Sequence, residues 1–311
     1  MFNSTLMQRV MSHFTSKILM ISPNKFRNNE YTHSDNVFQS KKTNENDVQF
    51  QALKEFDRLR ELISKSGIEV FSFNDDSEFD TPDAVFPNNW ISFHHQNKAI
   101  LYPMFSPNRR FERKSKILDK LSRSGIEIEL IKNYSIHEDE NRFLEGTGSI
   151  VLDRKSKKAY CSLSGRSDLS LFKKFCTDMN YLPIIFKSTH LSKPIYHTNV
   201  MMSICNKFAI ICLDSITNKN ERNIVTENLN NSGLEIIDIS VNQMTCFLGN
   251  CIQLINSDQS PILIMSSRAF NSISKSQLKR IESQTEIIHS EIKTIENNGG
   301  GSARCMIAEV F

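Results

Sequence analysis

The chain has 311 residues, a net charge of +3, and 39% hydrophobic and 23% charged residues. That length can bury a sizeable core, the composition excludes a disordered chain, and so small a charge gives no argument for nucleic acid or a membrane surface as partner. The seven cysteines, at 161, 176, 205, 212, 246, 251 and 305, are odd in number and irregular in spacing. No C-x-x-C or H-x-x-x-H pair offers metal-ligand spacing, and cysteines set in apolar stretches such as Ile204-Cys205 favour a reducing compartment.

The first 29 residues contain no acid and carry Arg9, Lys17, Lys25 and Arg27. The apolar run Ile18-Leu19-Met20-Ile21 is too short for a signal-peptide core and lacks a small-residue cleavage site. It reads as the first strand, with residues 1–16 a loose N-terminal extension and 17–311 one domain. No segment is long enough to span a membrane, and a cytoplasmic location is expected.

Farther along, one motif is written three times: Ser66-Gly67-Ile68-Glu69-Val70, Ser124-Gly125-Ile126-Glu127-Ile128 and Ser232-Gly233-Leu234-Glu235-Ile236. Each follows a helical pattern, over 48–65, 110–123 and 220–231. The glycine is a natural left-handed cap, and the alternation after it is a departing strand. Fainter copies follow helical stretches at 168–179 and 275–281, with Asn180 and Gln284 in the glycine position. Positions 67, 125, 180, 233 and 284 lie 58, 55, 53 and 51 apart, the even period of a repeat architecture. Short strands over 98–102, 149–152, 159–163, 200–205, 208–213, 248–255 and 261–265 fill each unit. The fold class is therefore α/β, and five such units around an axis make a five-bladed α/β propeller with a central site.

The last segment carries the most chemistry. Asn298-Gly299-Gly300-Gly301-Ser302-Ala303-Arg304-Cys305-Met306 places three of only ten glycines before one cysteine, then a closing strand over 306–311. Glycines let backbone approach a ligand closely, so Cys305 is a candidate nucleophile at a pocket mouth. Of the eight histidines, His197 has the most site-like setting, where a polar segment turns into an apolar strand. Glu145, in Leu144-Glu145-Gly146-Thr147-Gly148, either orients an imidazole or caps a turn. Asp83-Ala84-Val85-Phe86-Pro87-Asn88-Asn89-Trp90 holds an acid and two amides around the only Trp, in ordinary turn chemistry. Arg109-Arg110 and Arg166 could grip a carboxylate bidentately.

Together and in this order, these segments resemble the guanidino-group-modifying enzymes, the pentein superfamily of arginine deiminases, dimethylargininases and amidinotransferases. The resemblance runs from about Lys17 to Phe311 and implies a five-bladed propeller. It implies Cys305 as nucleophile, His197 as general acid/base and Glu145 as its orienting carboxylate. Asp83 would be a substrate-binding acid, and Arg109 or Arg110 with Arg166 would hold the substrate carboxylate. Where dimethylargininases carry two acids this chain has Asn88 and Asn89, and where deiminases carry His-x-Asp it has His197-Thr198-Asn199. A guanidinium is a donor-only cation, whereas a ureido group is neutral with a carbonyl acceptor, so amides suit the latter.

The pattern is most similar to the amidinotransferase-related citrulline-utilisation hydrolases, which implies conversion of citrulline and water to ornithine, ammonia and carbon dioxide. No metal or organic cofactor is implied, the only expected partner is a small amino acid, and a homodimer is an assembly the reading allows. Positive charge from an imidazolium at His197, or from Arg304, is expected to favour the thiolate. The alternatives are arginine deiminase, dimethylargininase or amidinotransferase activity on the same fold, a catalytically silent binding protein, and a Cys305 that is merely a core thiol.

Overall fold

The computed structural model describes residues 13–32, 36, 38, 39, 45–76, 78–114 and 116–311. Residues 1–12 of the expected extension, and His33, lie outside these. Thr15 is not loose: it is buried, and its hydroxyl donates to the main-chain carbonyl of Val310.

Among the described residues there are five three-stranded sheets and one two-residue hairpin, Thr189–His190 with Lys193–Pro194. The sheets share one plan. Ile91–His94 runs antiparallel to Lys98–Leu101, which is parallel to Glu129–Asn133. The same order recurs in Val151–Asp153, Lys158–Ser162 and Leu182–Phe186. It recurs in Met202–Ile204, Phe208–Ile211 and Glu235–Asp238, and in Ile252–Ile255, Pro261–Ser266 and Glu286–Ser290. The remaining sheet draws on both ends of the sequence: Ala308–Val310 pairs antiparallel with Lys17–Ser22, which is parallel to Glu69–Asn74.

A parallel pair needs a crossover, and an amphipathic helix supplies each one. Glu45–Lys65 buries Val48, Ala52, Phe56, Leu59 and Ile63, spaced for one helical face. Leu169–Met179 starts at Asp168, whose carboxylate accepts from the Leu171 amide at 2.9 Å, and buries Leu171, Phe172, Phe175 and Cys176. Lys219–Asn231 and Lys275–Glu282 do the same for the last two sheets. The expected left-handed caps are present at Gly67 (φ 89°), Gly125 (88°), Gly233 (73°) and Asn180 (56°). Gln284 departs from the pattern: the helix before it is capped by Ser283 in an ordinary right-handed conformation.

Two further expectations change. The helix anticipated over 110–123 is a 3₁₀ segment, Pro107–Lys114, followed by the α-helix Ile117–Arg123. Three residues per turn eclipse positions three apart, which puts Arg109 and Glu112 side by side facing inward. The strands expected to begin at 149, 200 and 248 begin at 151, 202 and 252. The residues before them are coiled into short helical segments or turns, and these contribute to the site.

Candidate active site

A short helical segment or a turn precedes the first strand of every sheet. Pro87–Asn89, Gly146–Ser149, Thr198–Met201, 246–250 and 303–306 are these turns, and each delivers polar residues to one cluster. Asn88 and Asn89 come from the first, and Glu145 caps the second. His197 caps the third, which also contains Asn199. Asn250 ends the fourth, and Cys305 sits in the fifth.

His197 Nε2 lies 2.8 Å from Glu145 Oε2. Glu145 is fully buried; its Oε1 accepts from the Phe105 amide at 2.9 Å and its Oε2 lies 3.4 Å from Arg166 Nη1. Burial alone would raise this carboxyl, but Arg166 and the His197 contact win and hold it well below the usual carboxylate range. Glu145 is therefore an ionised partner that fixes the imidazole. The ring is hemmed in on its other side by Gly148, where a Cβ would lie 2.8 Å from His197 Nδ1 and 2.5 Å from Asn89 Nδ2. Only glycine leaves the imidazole its place.

Cys305 is buried at 3% exposure. Asn250 Nδ2 lies 3.2 Å and Asn199 Nδ2 3.6 Å from its sulfur. Asn250 Nδ2 also donates to the Asn199 carbonyl at 2.9 Å, which anchors that end of the amide as the donor. The glycine run fits its surroundings closely: Gly300 has φ 65°, a Cβ there would lie 2.3 Å from Asn36 Nδ2, and one on Gly299 would lie 2.6 Å from the Phe86 ring. The expected thiolate bias is not what the site provides at rest. Burial pushes the Cys305 thiol up, against the opposing influence of Asn250 and Arg304. Arg304 is turned away, donating to the Ile307 carbonyl at 2.9 Å and to Glu309 at 3.2 Å. His197 is lowered by burial, against the pull of Glu145. Both shifts favour the neutral thiol and the neutral imidazole.

Asp83, Asn89, Arg109, Arg166, His197 and Cys305 line one narrow cleft, with Phe86, Tyr196, Thr32 and Asn36 at its walls. Asp83 Oδ2 accepts from Asn29 Nδ2 at 2.7 Å, its Oδ1 is buried without a hydrogen-bond partner, and burial raises its pKa. Of the two adjacent arginines, Arg109 reaches the cleft and Arg110 does not. Arg110 donates to the Met104 carbonyl at 3.1 Å and pairs with Glu138 at the half-buried surface. Arg109 is itself largely occupied: Nε and Nη2 contact Glu112 at 2.8 and 3.1 Å, Nη1 contacts Asn89 Oδ1 at 2.8 Å, and Nη2 contacts the Phe86 carbonyl at 3.2 Å. It organises the cleft wall more than it offers a free fork. Glu112, buried beside other carboxylates, is pushed up to about 7 by that burial, with Arg109 opposing. Asn88 stands behind the wall, donating to Thr147 Oγ1 at 3.3 Å and accepting from Asn89 at 3.0 Å. Among the described residues no group of three His, Cys, Asp or Glu could hold a metal ion, and no helix is long and apolar enough to cross a membrane.

Sequence reasoning passed over Asn250, Glu112 and Asn29. Asn250 stands in Gly249-Asn250-Cys251, two residues before its strand, as Asn89 stands two residues before Ile91. Alignment of the five turns, rather than a search for nucleophile partners, would have found it.

Residues 22–311 match the family described as N,N dimethylarginine dimethylhydrolase, eukaryotic. The chain belongs to that family. This dimethylargininase family lies within the pentein, guanidino-group-modifying superfamily, whose hydrolases cleave C–N bonds. Solved structures agree in fold. The product-bound N-terminal domain of ArgZ, an arginine dihydrolase from the ornithine-ammonia cycle in cyanobacteria, is 14% identical with a TM-score of 0.74, over 95% of this chain and 97% of that one. Unliganded AgrE is 15% identical with a TM-score of 0.74, over 95% of this chain but 39% of AgrE. A dimethylarginine dimethylaminohydrolase adduct with S-methyl-L-thiocitrulline is 13% identical with a TM-score of 0.63, over 95% and 99%. No curated protein sequence matches the chain.

Proposed function

We propose that this chain is a cysteine-dependent hydrolase of the ureido or guanidino group of an arginine-like amino acid, with citrulline as substrate. In this reading residues 17–311 form one five-bladed α/β propeller, closed by the pairing of Lys17–Ser22 with Ala308–Val310. The observation that carries the catalytic assignment is the buried Glu145–His197 contact of 2.8 Å in the same cleft as Cys305.

His197 takes the Cys305 proton as substrate binds, and the sulfur attacks the ureido carbon. The bond from that carbon to the δ-nitrogen breaks as His197 returns the proton, releasing ornithine and leaving an S-carbamoyl cysteine. Water then gives a proton to His197 and attacks the carbonyl, the C–S bond breaks, and the released carbamic acid decomposes to ammonia and carbon dioxide. Asn250 and Asn199, beside the sulfur, are donors for the oxygen that becomes anionic at each addition. Neutral amides at that place support a ureido oxygen over a guanidinium nitrogen, which needs acceptors.

A second reading, arginine as substrate, is favoured by one observation: the unpartnered Oδ1 of Asp83 in the cleft is an acceptor for a cation. The same atom can instead take the α-ammonium that citrulline also carries. A panel of citrulline, arginine, methylated arginines and agmatine separates the readings. Ornithine from citrulline supports the proposal, whereas citrulline accumulating from arginine overturns the ureido assignment.

A further inference from the structure

We infer that the chain has a second binding site, for a small anion of the phosphate class, at the ends of two sheets away from Cys305. The inference does not depend on the hydrolytic reading. Strand Ile91–His94 leaves the Asn88-Asn89 turn and ends in the hairpin that leads to Lys98; Val151–Asp153 leaves the Glu145 turn and ends in the hairpin that leads to Lys158. The two hairpin turns take left-handed backbone at Gln96, Asn97 and Lys157 (φ 64°, 59° and 53°) and enclose a cavity of about 210 Å³.

Its wall is basic. His94, Lys98, Arg154 and Lys157 line it with Tyr181, and no Asp or Glu is among the lining residues. Arg154 is 9% exposed and held in place: Nη1 lies 3.4 Å from His94 Nδ1, its guanidinium lies 4.1 Å over the Phe311 ring, and Nη2 lies 3.6 Å from Glu309. That single carboxylate already serves Arg304 at 3.2 Å. Lys157 Nζ lies 4.9 Å over the Tyr181 ring, and among the described residues no ion pair neutralises Lys98 or Lys157. Mutual repulsion shows in Lys157, whose pKa is lowered by burial and by Arg154. Like charges gathered in a recess raise a positive potential that an anion relieves. With Nη1 and Nη2 turned to His94 and Glu309, Arg154 adds fixed positive charge, and the two ammonium groups supply the donors for phosphate oxygens. The recess between two turns fits a free small anion better than a headgroup in a flat bilayer.

The test is calorimetric titration of the full chain with inorganic phosphate and pyrophosphate at low ionic strength, repeated on Lys98→Gln/Lys157→Gln. Both lysines lie outside the hydrolytic cleft, so turnover without added anion stays at the wild-type level. Saturable binding that weakens roughly tenfold or more in the double variant is expected, a loss of about 1.4 kcal/mol or more. Absence of saturable binding to wild type, or equal binding by a variant with unchanged melting temperature, would overturn the site. In a parallel arm, association with vesicles of phosphatidic acid in phosphatidylcholine without binding of free pyrophosphate would also overturn it.

Discussion

A thiol and an imidazole that are both buried favour their neutral forms, so in the proposed reaction Cys305 and His197 wait for substrate before the proton moves. The proposed mechanism needs His197 neutral to accept that proton. The acid limb of kcat/KM against pH should lie below the ordinary histidine value, and the alkaline limb above the ordinary cysteine value. Limbs at the two ordinary values would mean that burial does not govern the pair. Asn250→Ala removes the amide donor nearest the sulfur and should lower kcat by about 10²-fold, as loss of an oxyanion donor does. It should also shift the pH dependence of Cys305 alkylation to higher pH, which a purely structural asparagine would leave unmoved. Glu145 acts on stability as well. Its folded pKa lies below the unfolded one, so its contribution is complete above the ordinary carboxylate range and is lost as pH falls towards the folded value. Glu145→Gln should cost about 3–5 kcal/mol near neutral pH, with the gap to wild type narrowing in acid denaturation series.

At the scale of elements, Asn89, Glu145, His197, Asn250 and Cys305 come from five turns rather than from any strand. The repeated Ser-Gly-apolar-Glu endings made helix ends and the following strands legible, because a left-handed glycine cap leaves a local signature. The turns carry no such signature: Val200 and Met201 read as the start of an apolar strand, whereas both are buried in the helical segment Thr198–Met201. The 3₁₀ segment Pro107–Lys114 was equally illegible, because the buried Arg109–Glu112 pair that stabilises it has partners far off in sequence, Asn89 among them. For the same reason the sequence left the choice between Arg109 and Arg110 open. Gly148→Ala tests the turn geometry. The added methyl must displace the imidazole or the Asn89 amide, so we expect a loss of about 1–3 kcal/mol in urea unfolding. We also expect a fall in kcat that Gly148→Ser does not rescue.

For the whole molecule, the near-even period of the repeats disclosed five like units before any contact was known. The pairing that joins the two ends of the chain was foreshadowed only by the apolar closing segment. If the units form a closed propeller, removing 308–311 strips the partner of Lys17–Ser22 and exposes an edge strand. Unfolding of the truncated chain should then begin at lower denaturant, in hydrogen exchange first over 17–22 and 69–74. Uniform loss of protection across all five sheets would argue against that order. In the proposed reaction the five turns bring Cys305 to a ureido carbon. Mass spectrometry after brief exposure to citrulline tests it most directly. A carbamoyl adduct confined to Cys305, absent from Cys305→Ala, is the predicted result. An unmodified Cys305 in a preparation that releases citrulline from arginine would contradict it.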